Sequence, residues 1–450
     1  MSAISTAISE NTAIKPQVLS ADVEKAIQSI PDAQINAADA DAPGLDPLVS
    51  RDPWTHFRKL RAQQGDCVQY VDGRYGDVEV YNVFGHDLSK PNFAVLGYDA
   101  IRKMCMDRKM FINSGAYGMH AKAQGPFVMV NEMDGEQHKI TRRLFDTQIF
   151  SKGQLLELSE EAVGPMAHML AQRIRAKFDA GEEADLCRDL ALPLVYSSIA
   201  RIIGVPLTDI SYFVDMGERA FGGTRDPEAA MAAVIELTQY FQEKYEARKQ
   251  SGDLDKGDLM SMMSTAEYQG HRFNEDEIVA YCRFLLPGGI ETTWRQTANL
   301  GYALMTNSDQ YQKVVADPSL IPNAVEEACR WMASGFVLPR IAAVDTEIDG
   351  VRIPAGSSMV GVFGVANRED GIWESPDEFD VTREKKLHLT FSTGSHACMG
   401  QHLARLNFVR ALEAMVTHLP DMVLACDPAK LETVGFVQRC PRRVPVTKSA

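Results

Sequence analysis

The chain has 450 residues, with 46 Lys and Arg against 61 Asp and Glu, a formal net charge of -15 at pH 7. With 45% hydrophobic and 24% charged residues it has the make-up of an ordinary globular protein, which excludes a collagen-like, disulfide-scaffold or wholly disordered chain. The acidic balance disfavours nucleic acid or an anionic membrane as bulk partners, while leaving room for a local basic patch.

Residues 1–50 hold no aromatic and no cysteine, so they offer little to a core and predict a flexible leader, set at 1–45, ahead of a folded unit over 46–450. One short helix is expected over 20–30, capped by Ser20 and stopped by Pro31. Met1 to Ile14 carries no positive side chain, so no secretory signal is expected and the location reads as cytoplasmic. From Cys67 to Tyr81, alternating apolar residues flank Asp72-Gly73, a dipeptide suited to a hairpin turn. Ser159–Ala180 and Ala184–Ile203 have apolar residues at helical spacing and end at Gly181 and at Gly204-Val205-Pro206. Asn274 with Glu277 forms a capping-box pattern that opens an apolar run to Met305, which predicts one very long helix. Ala343–Phe363 repeats the hairpin signature around Asp349-Gly350, and Leu403–Leu419 reads as a helix stopped by Pro420. The longest charge-free stretch, Ile353 to Asn367, contains Pro354 and three glycines and falls short of the ~20 apolar residues of a spanning helix, so no membrane anchor is expected.

Eight cysteines are scattered singly, without the spacing of a zinc site or a redox pair, and most are expected to be buried thiols. One stands apart. Phe391-Ser392-Thr393-Gly394-Ser395-His396-Ala397-Cys398-Met399-Gly400 delivers Cys398 in a glycine-punctuated loop just before a helix. Amides at a helix start stabilise a thiolate, Gly394 permits a tight turn, and Gly400 allows close approach to a flat ligand. A lone cysteine more often is structural; the residues around this one favour axial ligation of haem iron.

The segment resembles the hallmark of the cytochrome P-450 superfamily, Phe-x-x-Gly-x-(His/Arg)-x-Cys-x-Gly, with every fixed position filled. The resemblance implies that Cys398 is the thiolate ligand of heme b (iron protoporphyrin IX), with Phe391 beside the sulfur, His396 reaching a propionate and Gly400 against the ring. Ser392 stands where the family usually has a second glycine. Further matches follow in family order. Glu327 and Arg330, at i and i+3, would form a structural network with Arg383. His138 and Arg142, at i and i+4, and Arg340 would meet the propionates, and His388 is a weaker candidate for the same role. Gly288-Gly289-Ile290-Glu291-Thr292-Thr293 corresponds to the family's oxygen-handling motif in the long helix. By itself Pro287 with two glycines reads as a turn between helices. The resemblance favours a kinked helix in which Thr292 and Glu291 cradle water and relay protons.

The implied fold is mainly α: a large, triangular single domain with a small β region and haem between the long helix and the cysteine loop. The implied reaction inserts one atom of dioxygen into a small-to-medium apolar organic substrate, as a hydroxylation or epoxidation. Gly288, Gly289, Val337, Leu338 and Phe436 fall where the family contacts substrate, as do the stretches 111–130 and 220–224. No flavin or iron–sulfur motif is present, so electrons are expected from a separate ferredoxin and an NAD(P)H-dependent reductase. Lys139, Arg143, His402, Arg405 and Arg410 would form their docking patch. A peroxide-using haem-thiolate enzyme and a non-catalytic haem sensor or electron carrier are the alternatives; the Glu291-Thr292 pair argues against the first.

Overall fold

A computed structural model describes Lys25 and residues 52–117, 129–221, 227–254 and 257–449, apart from 77, 80–83 and 85. Except for Lys25, the helix expected over 20–30 lies outside the described residues.

Helix α1 (Pro53–Gln64) follows from its own sequence. Asp52 accepts from the Thr55 amide, Pro53 fills the first position, and Gly65, at φ +83°, ends it. Trp54, Phe57 and Leu60 share one face and are buried. Helices α2 (Tyr98–Met106), α3 (Gly135–Leu144), α4 (Gly164–Asp179), α5 (Leu192–Ile203), α6 (Ile210–Phe221) and α7 (Pro227–Ser251) follow. The long helix is present as α8 (Glu275–Leu285), a π-helical stretch (Leu286–Glu291) and α9 (Thr292–Thr306). Its start is the capping box read from Asn274 and Glu277, with both reciprocal bonds made. Wider winding falls where Pro287 has no amide hydrogen to donate and two glycines follow. The Pro-Gly-Gly segment is thus neither a turn nor regular α-helix. Helices α10 (Ile321–Trp331) and α11 (Gln401–His418) complete the set used below.

Two helical expectations change in detail. The run over Ser159–Ala180 starts earlier, at Lys152, and passes through a π-helical turn at Ser159–Val163 before α4. Ala184–Asp185 is a short strand paired with Pro445 and Val446, and winding resumes only at Cys187. Gly204, at φ +89°, ends α5 as its left-handed cap.

The main sheet contains β1 (Cys67–Val71), β2 (Arg74–Tyr75), β3 (Val78–Glu79), β4 (Asn92–Val95) and β5 (Phe111–Ile112). After the helices come β6 (Leu338–Ala342), the separate hairpin β7 (Thr346–Ile348) and β8 (Val351–Ile353), and β9 (Ser358–Gly361), giving a seven-stranded order β3-β2-β1-β4-β9-β6-β5. Both predicted hairpin turns form. Asp72 and Gly73 have φ +50° and +84°, and Asp349 and Gly350 have +50° and +77°, the positive pair a two-residue turn demands. Each sits between directly paired residues, Val71 with Arg74 and Ile348 with Val351.

The larger core joins α4, α5, α8, α9 and α11 through residues such as Ile174, Leu194, Trp294, Leu300 and Phe408. A second cluster binds α1 to the sheet side through Trp54, Phe57, Phe336 and Phe436. Helix α9 is buried around almost its whole circumference, which fixes it as the rigid member against which the cysteine loop is set.

Candidate active site

A cavity of about 430 Å³ lies between these elements, and most of the residues singled out in the sequence line it. Phe391, His396, Cys398 and Gly400 come from the cysteine loop, and Gly288, Gly289, Glu291 and Thr292 from the long helix. His138 and Arg142 of α3, Val337, and Leu338 and Arg340 of β6 complete the set.

The cysteine loop is held by backbone contacts. The Cys398 amide donates to the Phe391 carbonyl at 2.8 Å and the Ser392 amide to that of Leu389 at 2.7 Å. Gly394 has φ +74°, and a Cβ there would lie 2.5 Å from the Cys105 carbonyl oxygen, so this position requires glycine. Ser392 adopts φ +55°, the conformation for which the family's usual glycine is suited, and its hydroxyl rests 3.5 Å from Cys105 Sγ. Arg405 lies over the Phe391 ring at 4.2 Å. Burial pushes the Cys398 thiol up, opposed by the Gly400 amide and by Arg142 and Arg405.

One edge of the cavity gathers cationic and imidazole groups. His138 is buried, stacks on His396 at 4.0 Å between ring centroids, and has no hydrogen-bond partner at Nε2. Burial, then the neighbouring His396 and Arg142, push its pKa down to about 4. Arg142 Nη1 donates to the Ala397 carbonyl at 2.5 Å and Nε to Asp146 at 3.2 Å, so α3 is tied directly to the cysteine loop. His396 Nε2 lies 3.5 Å from Asp134 Oδ1. Arg340 is 2% exposed, donates to its neighbour's carbonyl, and among the described residues has no carboxylate within ion-pair distance.

On the long helix, Thr292 Oγ1 donates to the Gly288 carbonyl at 3.3 Å across the π-helical stretch. Glu291 is 4% exposed and accepts from Tyr196 OH at 3.2 Å, Trp294 Nε1 at 3.2 Å and Arg295 Nη2 at 2.9 Å. The Glu327 network forms as expected: Arg330 donates to both carboxylate oxygens at 2.7 Å, and Arg383 Nε donates at 3.0 Å.

Three groups of residues depart from the sequence reading. His388 does not line the cavity; its Nε2 sits 3.0 Å from Glu326 Oε2, and Arg405 holds the same carboxylate at 2.6 Å. Phe436 is stacked on Phe57 at 5.5 Å inside the sheet-side core, and its neighbours Val437 and Gln438 reach the cavity instead. The basic patch is largely paired within the chain: Lys139 with Glu136, Arg405 with Glu326, and Arg410 with Glu160 and Glu413. Arg143 and His402 are exposed, as is the paired Lys139. Expected contacts at 118–128 and 222–224 lie outside the described residues.

Comparison with known proteins decides the family. Residues 221–420 match the family model described as Cytochrome P-450. The chain is 33% identical over 322 residues to nocardicin C N-oxygenase of Nocardia uniformis, covering 70% of this chain and 78% of that one. The chain belongs to the cytochrome P-450 family. It is also 29% identical to a steroid C26-monooxygenase of Mycobacterium tuberculosis, over 74% of this chain and 88% of that one. Among solved structures it resembles the LnmA cytochrome P-450 hydroxylase of Streptomyces atroolivaceus, with TM-score 0.69, 29% identity, and coverage of 80% of this chain and 90% of that chain. This cytochrome P-450 is therefore a haem-dependent monooxygenase of organic substrates, using dioxygen and electrons from redox partners, in a family that binds haem through a cysteine thiolate. Among the described residues no helix is long and apolar enough to cross a membrane.

The residues present fit that cofactor. A buried arginine without a carboxylate, an unpartnered His138 Nε2 and Arg142 gather at one cavity, which suits the two carboxylates of a haem. Tyr117 falls in the stretch expected from the sequence, but sequence reasoning missed other parts of the cavity wall, including Phe145, Tyr281, Phe284 and Leu285. A signal existed for part of it: Tyr281, Phe284, Leu285, Gly288 and Thr292 follow helical spacing, so counting back from Gly288 along the helix would have found them.

Glu326 links the loop to α10 and carries a pH prediction. Burial raises its pKa, but hydrogen bonds and charge from His388 and Arg405 outweigh burial and leave it at about 2, against 4.5 for an ordinary glutamate. The stabilisation is therefore complete above about pH 4.5 and is lost as pH falls towards 2. In denaturant titrations the parent's advantage over Glu326→Gln should stay flat at neutral pH and shrink across that acid window. An advantage independent of pH would show that the carboxylate charge does not stabilise the fold.

Proposed function

We propose that this chain hydroxylates or epoxidises an apolar, small-to-medium organic molecule at heme b ligated by Cys398. The reading is carried by one observation: a single cavity brings Cys398 together with Thr292 and with apolar walls from Ile199, Leu259, Phe284, Leu285, Val337 and Leu338. His138, Arg142, Arg340 and His396 would hold the haem propionates, and Phe391 and Gly400 would support the thiolate side. The relatives above are named for chemically different substrates, so only the substrate class is carried over. We assign the leader to 1–45 and the working domain to 46–450, acting in the cytoplasm with a ferredoxin and an NAD(P)H-dependent reductase.

When bound, the haem supplies oxygen activation and one-electron transfer. The protein's part is to admit an apolar substrate, exclude bulk water and deliver protons. Thr292 suits the last task because its hydroxyl, which donates to the Gly288 carbonyl, keeps lone pairs that accept from water in the widened helix and can donate to water once it turns from that carbonyl. Glu291, one residue back, places a buried carboxylate behind it.

Ligands should be screened by the shift of the haem Soret band and the hits incubated with ferredoxin, reductase and NADPH under labelled dioxygen. One labelled oxygen atom in the product is expected. Tight ligands that shift the band yet are never oxygenated while electrons are consumed would overturn the monooxygenase assignment of this cavity. With an accepted substrate, Thr292→Ala should keep consuming NADPH while product per NADPH falls by about tenfold and hydrogen peroxide rises. An unchanged product yield would remove Thr292 from proton delivery.

A further inference from the structure

Glu291 is enclosed more completely than a carboxylate lining a reaction cavity needs to be. Tyr196 from α5 holds Oε1, while Trp294 and Arg295, one turn along the same helix, hold Oε2. Arg295 is itself fixed from the C-terminal segment, with Nε donating to Gln438 Oε1 at 3.0 Å and Nη1 lying 3.3 Å from Cys440 Sγ. All of the ionisable members are buried: Tyr196 2%, Glu291 4%, Arg295 7% and Cys440 1% exposed. A fourth element closes the arrangement. Gly217 of α6 lies so close that a Cβ there would stand 3.3 Å from Glu291 Oε1 and 3.4 Å from Tyr196 OH. Gly217 therefore brings bare backbone against the pair.

We propose that Tyr196 and Arg295 are positioning residues that fix the Glu291 carboxylate behind Thr292, and that Gly217 is the small residue that lets α6 seat against them. The physical reason is rotameric. A buried glutamate carboxylate held by a single donor can swing about its side-chain torsions, whereas donors arriving from three directions leave one orientation. Cation and carboxylate also compensate each other, so neither is left unpaired in a dry interior. The fourth contact is steric, and it makes helix α6 part of the setting of the acid although none of its described side chains lines the cavity.

This inference rests on the reading of Glu291 and Thr292 as the proton-handling pair, so the experiment includes Glu291→Gln as a control for that reading. Tyr196→Phe removes one hydroxyl, and Gly217→Ala adds one methyl group that must displace Glu291 or Tyr196 by a few tenths of an ångström. Both should keep the haem spectrum and substrate affinity of the parent. Gly217→Ala should stay folded, because the better helix propensity of alanine offsets part of the cost of displacing Glu291 or Tyr196. Product per NADPH is expected to fall at least about threefold in each, with matching hydrogen peroxide, since a small misplacement of a proton-handling group is costly. Crystal structures of the two variants should show the Glu291 carboxylate turned from its parent position. Arg295→Met is the more drastic change; it should shift the pH profile of coupling, and Arg295→Lys should restore part of it. If Glu291→Gln leaves coupling intact, the proton-pair reading fails. If Glu291→Gln uncouples but Tyr196→Phe and Gly217→Ala couple like the parent, the positioning role is overturned while that reading stands.

Discussion

Cys398→Ala is expected to abolish the red-shifted Soret band of the reduced, carbon-monoxide-bound protein and, with it, turnover. The expectation rests on exclusion as well as on motif. Of the eight cysteines, six are buried, and the remaining two are Cys398 and Cys426. Cys398 is the cysteine that lines the cavity. Cys105 is buried, and its sulfur faces Ser392 and Arg340 within a packed cluster. The alanine variant should still fold, because the loop is fixed by the Cys398 amide on the Phe391 carbonyl, which alanine retains. Cys105→Ala and Cys426→Ala should keep the band. A Cys398→Ala protein that kept both band and turnover would transfer the thiolate role to another cysteine.

What could be read in the sequence was what the backbone or a short spacing constrains. Asp72-Gly73 and Asp349-Gly350 were legible because few residue pairs accept two positive φ angles, and both turns form. Glu327 and Arg330 were legible because i and i+3 must share a helix face, and Arg383 because its segment follows in family order. The misassigned side chains have partners far along the chain. His388 has a histidine's capacity to meet a propionate, but Glu326, 62 residues earlier, takes it. Arg405 reads as surface charge on a helix until the same Glu326, 79 residues away, is placed beside it. Phe436 is an aromatic at a family contact position, yet Phe57 offers it a stacked partner in the core. The π-helical turns were invisible for a different reason: one extra residue in a turn leaves the apolar spacing on either side almost unchanged, so Ser159–Val163 and Cys187–Ala191 pass as ordinary helix. The clamp on Glu291 was half legible, since Arg295 stands at i+4 on one helix face, but Tyr196 and Gly217 could not be placed without the fold.

Glu327→Ala should be the most damaging substitution for the fold itself. The carboxylate is 4% exposed and accepts two bonds from Arg330, one from Arg383 and one from the Asp380 amide. Arg330 is 1% exposed and spends its other donors on the carbonyls of Asn367, Pro376 and Glu378, so it pins the meander between α10 and the cysteine loop. Removing the acid leaves a fully buried guanidinium with no counter-charge, a change that costs about 3–5 kcal/mol. Set against a total stability of roughly 5–15 kcal/mol for a folded domain, that loss should leave much of the protein unfolded or unable to retain haem. Glu327→Gln keeps one acceptor oxygen and the shape, so it should lose less. The exposed pair Arg272 and Glu267 gives the contrast: Glu267→Ala should cost at most about 1 kcal/mol, because water replaces what is lost. Unfolding midpoints in denaturant, read together with haem content, measure all three. A Glu327→Ala protein as stable as Glu267→Ala would mean that the backbone carbonyls alone hold Arg330, and that the acid is dispensable to the meander.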